Sequence, residues 1–387
     1  MRLALIFVFF ISKLNAQSFQ VPYDHQLTNS RKIEIQVEFL NQFDAGRETV
    51  FLLEDAFDEL FMPFDQLVDF SKSSNFVLIK GRKNSEELSR GVMHSGEPDY
   101  QLAYRLFNQD QVARDIEVIR KNLLGDKQVI LLGYSSSAMV LQHYLSLFPD
   151  KVSSMISVNP LVFDIQKNLG FQELSLSFPS FDFSLEQLFD FSYYSNFDRE
   201  MPGVKSASFG SLIGFLRYSD LFKGFSQASN FENNFPLQVR VFEHSIALSG
   251  LQEASKTVKP NLELLKNWSE PIWDKYLETN FPIQGTNYDD LLDFQGKVIL
   301  IGGAFDQLVY PKSYDILAEF YSNSTLLLLK DGHALQKTSG DYGLNELVKA
   351  FVTNDFELKI ASFKKLSEAN LIFKKYNEGD FKVPPRF

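Results

Sequence analysis

Apolar and polar residues alternate along residues 32–40, Lys-Ile-Glu-Ile-Gln-Val-Glu-Phe-Leu. That period of two predicts a half-exposed strand near a sheet edge. Further along, the apolar runs become continuous: Thr49 to Leu53, Phe76 to Ile79, Val129 to Leu132, Val152 to Val158, Lys297 to Ile301 and Thr325 to Leu329. Short unbroken runs of this kind read as strands buried on both faces. Helical spacing fills the intervals. Phe64, Leu67, Val68 and Phe70 form one stripe, and Val112, Ile116, Ile119 and Leu123 form a clearer one within Asp110 to Leu124. Gly125 follows where a C-terminal cap is expected. Met139, Val140, Tyr144 and Leu147 make a third stripe, closed by Pro149, and Tyr314 to Phe320 and Leu344 to Val352 two more. Buried strands alternating with helices imply an α/β protein with a mostly parallel sheet covered on both faces.

Two stretches fall outside that rhythm. Lys80 to Tyr100 is polar, carries glycines 81, 91 and 96, and reads as a loop. From 164 to 285, Ser, Phe, Asn and Asp dominate, and the first strand-like apolar run is Val239-Arg240-Val241. We read this segment as a mainly helical cap inserted over the sheet. The expected organisation is a signal segment at 1–16, a first core part at 17–163, the cap at 164–285, a second core part at 286–365 and a charged tail at 366–387. No internal repeat is visible.

The 387 residues allow one large α/β domain with an insertion. A hydrophobic fraction of 44% is enough for a substantial core. A net charge of -11 gives no reason to expect a nucleic-acid partner. The 39 phenylalanines, many between 163 and 242, read first as core and second as the lining of an apolar cavity. Arg2, the apolar run Leu3 to Ile11 and the small Ala16 make a secretory leader, so that Met1 to Gln17 is not expected in the fold. No later stretch reaches the roughly 18 apolar residues of a membrane span. There is no cysteine, hence no disulfide or thiol nucleophile. The scattered histidines form no metal cluster, and no cofactor is implied.

The richest stretch is residues 128–148. The run Val129 to Leu132 passes into Gly133-Tyr134-Ser135-Ser136-Ser137 and at once into a helix. A strand turning sharply into a helix over small residues is how a serine is lifted out of a sheet, as in the Gly-x-Ser-x-Gly nucleophile elbow of α/β-hydrolases. Ser135 is the candidate nucleophile, with Ser137 standing where the last glycine is usual. A serine needs a base, and the base an acid to fix its tautomer. Of five histidines, His25 precedes the first strand, His94 lies in the polar loop, His143 in the elbow helix and His244 in the cap. His333 remains, in the loop after the strand Thr325 to Leu329, where sheet ligands bind. Asp306, just past the strand ending at Ile301, is the candidate acid, and Asp331 is a rival with poorer geometry.

These segments carry a family resemblance. Asp115-Ile116-Glu117-Val118-Ile119-Arg120, Gly133 to Ser137 and Phe148-Pro149-Asp150-Lys151-Val152 resemble the middle of proline iminopeptidases and related exported aminopeptidases. Gly302 to Tyr310 with Gly332-His333 resembles their C-terminal third. The resemblance implies an α/β-hydrolase fold and a Ser135–Asp306–His333 triad cleaving amide or ester bonds through an acyl-enzyme. It implies oxyanion donors in the backbone N–H groups of Ser136 and Ala56, and a cap glutamate, Glu243, that binds the substrate's free amine. The chain departs from the pattern where the family has His-Gly-Gly-Pro-Gly: it has Glu54-Asp55-Ala56-Phe57-Asp58. Two carboxylates there oppose a developing oxyanion unless they point away. The family's Asp-Gln-Arg-Gly loop is replaced by Lys80-Gly81-Arg82-Lys83.

Three readings follow. The first is an exported serine hydrolase of aminopeptidase type, acting on a small molecule or short peptide. The second keeps the triad with an ester substrate. The third is a non-catalytic binding protein on the same fold. None involves a nucleic acid or stable membrane insertion.

Overall fold

In the computed structural model the residues described are 15–57, 73–161, 234–255, 266, 268–304, 312–331, 333, 335, 338 and 343–376. Nine strands form one sheet: β1 (Asn15–Pro22), β2 (Lys32–Phe39), β3 (Thr49–Leu53), β4 (Asn75–Ile79), β5 (Val129–Tyr134), β6 (Val152–Val158), β7 (Lys297–Gly303), β8 (Ser324–Leu329) and β9 (Ile372–Tyr376). Their order is β1-β2-β4-β3-β5-β6-β7-β8-β9. The six strands from β4 to β8 in that order are mutually parallel, and β1, β2 and β9 are joined antiparallel at the two ends. The continuous apolar runs occupy the middle, where every residue of β3, β4 and β5 is buried. The alternating run became β2, whose residues are exposed and buried in turn. Sequence period thus reports depth in the sheet.

The helices are α1 (Glu86–Gly91), α2 (Tyr100–Phe107), α3 (Gln109–Leu124), α4 (Ser135–Leu147), α5 (Phe235–Ser255), α6 (Glu270–Thr279), α7 (Lys312–Phe320), α8 (Leu344–Val352) and α9 (Phe356–Glu368). Helix α3 ends as expected, with Gly125 at φ 61° and its N–H on the Lys121 carbonyl. The helix expected from Phe64 to Phe70 lies outside the described residues, as do residues 162–233, 256–265 and 267, which take in most of the segment 164–285 expected as a cap. No described helix is long and apolar enough to cross a membrane.

Four expectations need correction. Asn15, Ala16 and Gln17 belong to β1, paired with Phe39, Glu38 and Val37. Lys80 to Tyr100 is not all loop: Ser85 Oγ accepts the Leu88 N–H and starts α1, a cap the glycines obscured. Val239-Arg240-Val241 is helix: Asn234 Oδ1 accepts the Leu237 N–H at 3.2 Å, and Pro236 sits in the first turn. That helix is buried all round over residues 235–245, which is why its pattern is continuous rather than striped. Finally, the segment read as a charged tail includes β9, an edge strand whose lysines fit an exposed position.

The register carries the parallel strands to one edge. Leu52 lies beside Leu132, Tyr134 beside Val158, Val158 beside Ile301 and Gly303 beside Leu329. The loops after β3, β5, β6, β7 and β8 therefore open on the same side, the carboxyl edge where α/β sheets bind ligands.

Candidate active site

At the end of β5 the chain reverses through Ser135, whose φ is 53°. A non-glycine residue there is strained by about 1 kcal/mol or more, and the neighbouring contacts show what enforces it. A Cβ on Gly133 would lie 2.5 Å from Ala138 Cα and 2.8 Å from its nitrogen, so strand and helix meet only if that position is glycine. Ser137, where the elbow pattern has its last glycine, is used rather than merely tolerated. Its hydroxyl donates to the Tyr134 carbonyl at 2.8 Å and accepts the Tyr134 N–H at 3.1 Å.

Ser135 Oγ lies 2.8 Å from His333 Nε2, and both residues are buried. The two are 198 positions apart in the chain. The loop bearing His333 is fixed through its backbone. The His333 carbonyl accepts from the Tyr134 hydroxyl at 3.0 Å and from the Asn159 side-chain amide. Asn159 Oδ1 in turn accepts the Gly303 N–H at 2.8 Å. One asparagine at the end of β6 thus joins the end of β7 to the histidine loop after β8. Asn159 was not singled out from the sequence; its Asn-Pro context at the strand end was the available signal.

Asp306 lies outside the described residues. Asp331, the rival acid, is buried and secures its own loop. Its Oδ2 accepts the Thr338 N–H at 2.9 Å and the Thr338 hydroxyl at 3.0 Å.

Beside the elbow runs the loop after β3. Ser136 Oγ donates to Asp55 Oδ1 at 2.6 Å, and the Phe57 N–H donates to the same oxygen at 3.0 Å. Ala56, between them, is therefore held against the first turn of α4. The N–H groups of a helix's first turn, Ser136 among them, have no intrahelical acceptor and point out of its N-terminus.

Glu54 and Asp55, the two carboxylates that open this loop, are each matched by cations. Glu54 pairs with Lys80 Nζ at 2.5 Å and Lys83 Nζ at 2.6 Å. Asp55 Oδ2 receives Arg240 Nε, from the cap helix α5, at 2.8 Å. Burial alone would raise the Asp55 carboxyl, but the Arg240 charge and the Ser136 and Phe57 hydrogen bonds outweigh it and hold it below the usual range. The replacement loop is equally employed: Arg82 is buried, with Asp115 at 2.6 and 2.9 Å. A small pocket lies between these elements, lined by Glu54, Asp55, Arg82, Phe107 and Arg240 among others.

Glu243 is not presented to an incoming amine. One oxygen meets Arg240 and the other accepts the Gln109 N–H at 3.0 Å. Burial, only partly offset by Arg240 and Gln109, pushes its carboxyl up to about 7. The remaining histidines divide. His25 meets Asp115 at 2.7 Å, His143 faces Asp110 at 3.3 Å, and His94 is exposed in a short hairpin. His244, set aside on sequence as a cap residue, packs against Phe57 with ring centroids 4.7 Å apart. Burial and the Arg240 charge lower its imidazole to about 3, so it is neutral at ordinary pH.

Residues 89–339 match the model of a family described as alpha/beta hydrolase fold. Among solved structures the chain is similar to a probable hydrolytic enzyme of Pseudomonas aeruginosa PAO1, at 14% identity over 92% of this chain and 95% of that one, with a TM-score of 0.44. It is also similar to a serine hydrolase of the polyaromatic hydrocarbon-degrading bacterium Cycloclasticus zankles, at 12% identity over 89% and 100%, TM-score 0.43. A haloalkane dehalogenase variant from Bradyrhizobium elkanii gives 12% identity over 91% and 100%, TM-score 0.45. No curated protein matches the chain.

Proposed function

The chain belongs to the alpha/beta hydrolase fold family, and from that premise we propose that it is a serine hydrolase that transfers an acyl group to Ser135 and then to water. The observation that carries this reading is the 2.8 Å approach of Ser135 Oγ to His333 Nε2 at a strained elbow. In the proposed mechanism His333 Nε2 takes the Ser135 proton as the oxygen attacks a carbonyl carbon. The negative charge gathers on the carbonyl oxygen, facing the Ser136 and Ala56 N–H groups. Collapse breaks the bond to the leaving group, which takes the proton from His333. A water then repeats the sequence on the acyl-enzyme, returning the proton to Ser135. Asp306 is proposed to orient His333.

An ester or amide without a free amine is the favoured substrate. Amine recognition rested on Glu243, and that carboxyl is engaged by Arg240 and Gln109. The case for a non-catalytic protein rested on Glu54 and Asp55, and both are paired with cations. We further propose export, on the leader pattern at 1–16; material recovered from outside the cytoplasm should then begin at Gln17.

The test is labelling with a fluorophosphonate. Wild-type protein should label and hydrolyse nitrophenyl butyrate, Ser135→Ala should do neither, and Asp306→Asn should lose roughly 10³- to 10⁴-fold in kcat. Labelling that persists in Ser135→Ala removes the proposal. Cleavage of an aminoacyl anilide, absent when its amine is blocked, would restore the aminopeptidase reading.

A further inference from the structure

Arg240 and His244 lie one turn apart on α5, on the face that meets residues 55–57. Their fates differ. Arg240 bridges Asp55 and Glu243. His244 is 2% exposed, yet neither Nδ1 nor Nε2 has a hydrogen-bond partner among the described residues. A buried imidazole with both nitrogens unmatched is destabilising, and an apolar side chain of the same shape would fill the space without that cost. The ring packs on Phe57, next to Ala56, in the loop whose Asp55 accepts the Ser136 hydroxyl. The unmatched nitrogens therefore lie beside the loop that meets the elbow and not in a remote part of the core.

We infer that His244 is a substrate-binding residue, whose ring offers one N–H donor and one acceptor to an uncharged polar group, a hydroxyl or an amide, on the acyl part of the substrate. The acyl part is the one within reach because Phe57 adjoins the proposed oxyanion donor. An uncharged group fits because Arg240 is already bound by Asp55 and Glu243 and is not left to meet an anionic substituent. This inference rests on the Ser135 reading.

The experiment compares the nitrophenyl esters of butyrate and 3-hydroxybutyrate, with fluorophosphonate labelling as the control. Wild-type protein should prefer the hydroxylated ester. His244→Phe should lower kcat/KM for that ester roughly 10- to 100-fold more than for butyrate, while fluorophosphonate labelling persists. His244→Gln, which keeps a donor and an acceptor, should recover part of the preference, and the melting temperature of His244→Phe should not fall. Equal losses on both esters, or no loss on either, would overturn the role given to His244 while leaving Ser135 in place. Absence of labelling in the wild type would instead remove the hydrolase reading, and this inference with it.

Discussion

Around Ser135 the chain is held by neutral groups: the Tyr134 hydroxyl and the Asn159 amide on the His333 carbonyl, and Ser137 on Tyr134. Around residues 54–57 it is held by ions: Lys80 and Lys83 on Glu54, Arg240 on Asp55. On the neutral side Asn159 joins the ends of the neighbouring strands β6 and β7, and Tyr134 and Asn159 both reach the loop after β8 along the edge the register sets. The ionic side is mixed: Glu54 and Lys80 follow the neighbouring strands β3 and β4, whereas Arg240 reaches Asp55 from a helix 185 positions away that the sheet does not provide. Removing a neutral hydrogen bond leaves a modest deficit, whereas removing one member of a buried ion pair leaves an uncompensated charge. The comparison says that the loop of substituted carboxylates depends on the cap in a way that the elbow does not.

The sharpest way to break it is Arg240→Met. Asp55 and Glu243 would lose their shared cation, and chemical denaturation should show a loss of about 3–5 kcal/mol. A loss below about 1 kcal/mol would place the ionic side on a par with the neutral one.

Next is the pH dependence of Glu243. Its carboxyl rises from 4.5 to about 7 in the fold, so the folded state holds the proton more tightly. The corresponding stability is fully present below pH 4.5 and is lost as the pH rises through about 7, by up to about 3 kcal/mol. Denaturation midpoints measured from pH 4 to 8 should decline more steeply in the wild type than in Glu243→Gln. Parallel curves would assign the buried charge elsewhere.

On the neutral side, Asn159→Ala should cost about 1–3 kcal/mol, since both ends of its amide are engaged. It should also lower kcat through a loosened His333 loop, an effect read with nitrophenyl butyrate. The smallest expected effect concerns the elbow itself. Ser135→Gly and Ser135→Ala should both be inactive, but the glycine variant should be the more stable by about 1 kcal/mol, because only glycine takes a φ of 53° without strain. Equal stabilities would mean that the elbow stores no strain.

Elements whose signal is local were legible. Leu344 to Val352 is the helix that its stripe implied, and β3 and β7 start where their apolar runs start. Ser135 and His333 were also legible, because each directly follows such a strand, and strand ends in a parallel sheet share an edge. The misses differ in cause. Helix α1 hid behind three glycines although Ser85 caps it locally, and Val239 to Val241 has the residue types of a strand although Asn234 caps the helix just before it. Only β9, too charged to resemble the other strands, was decided by a partner distant in sequence. His244 was set aside for its position in the chain, and Glu243 was read with no knowledge that Arg240 and Gln109 would engage it.

The parts that meet at the elbow were therefore ordered in the chain: a glycine that lets strand and helix touch, a serine beyond it, and a histidine past a later strand. Those features follow from short-range sterics and the periodicity of burial. Which charges are neutralised, and which buried nitrogens are left for a ligand, depended on the cap helix coming to rest on the loop after β3. Electrostatic matching acts between groups close in space, and only the folded chain fixes which groups those are.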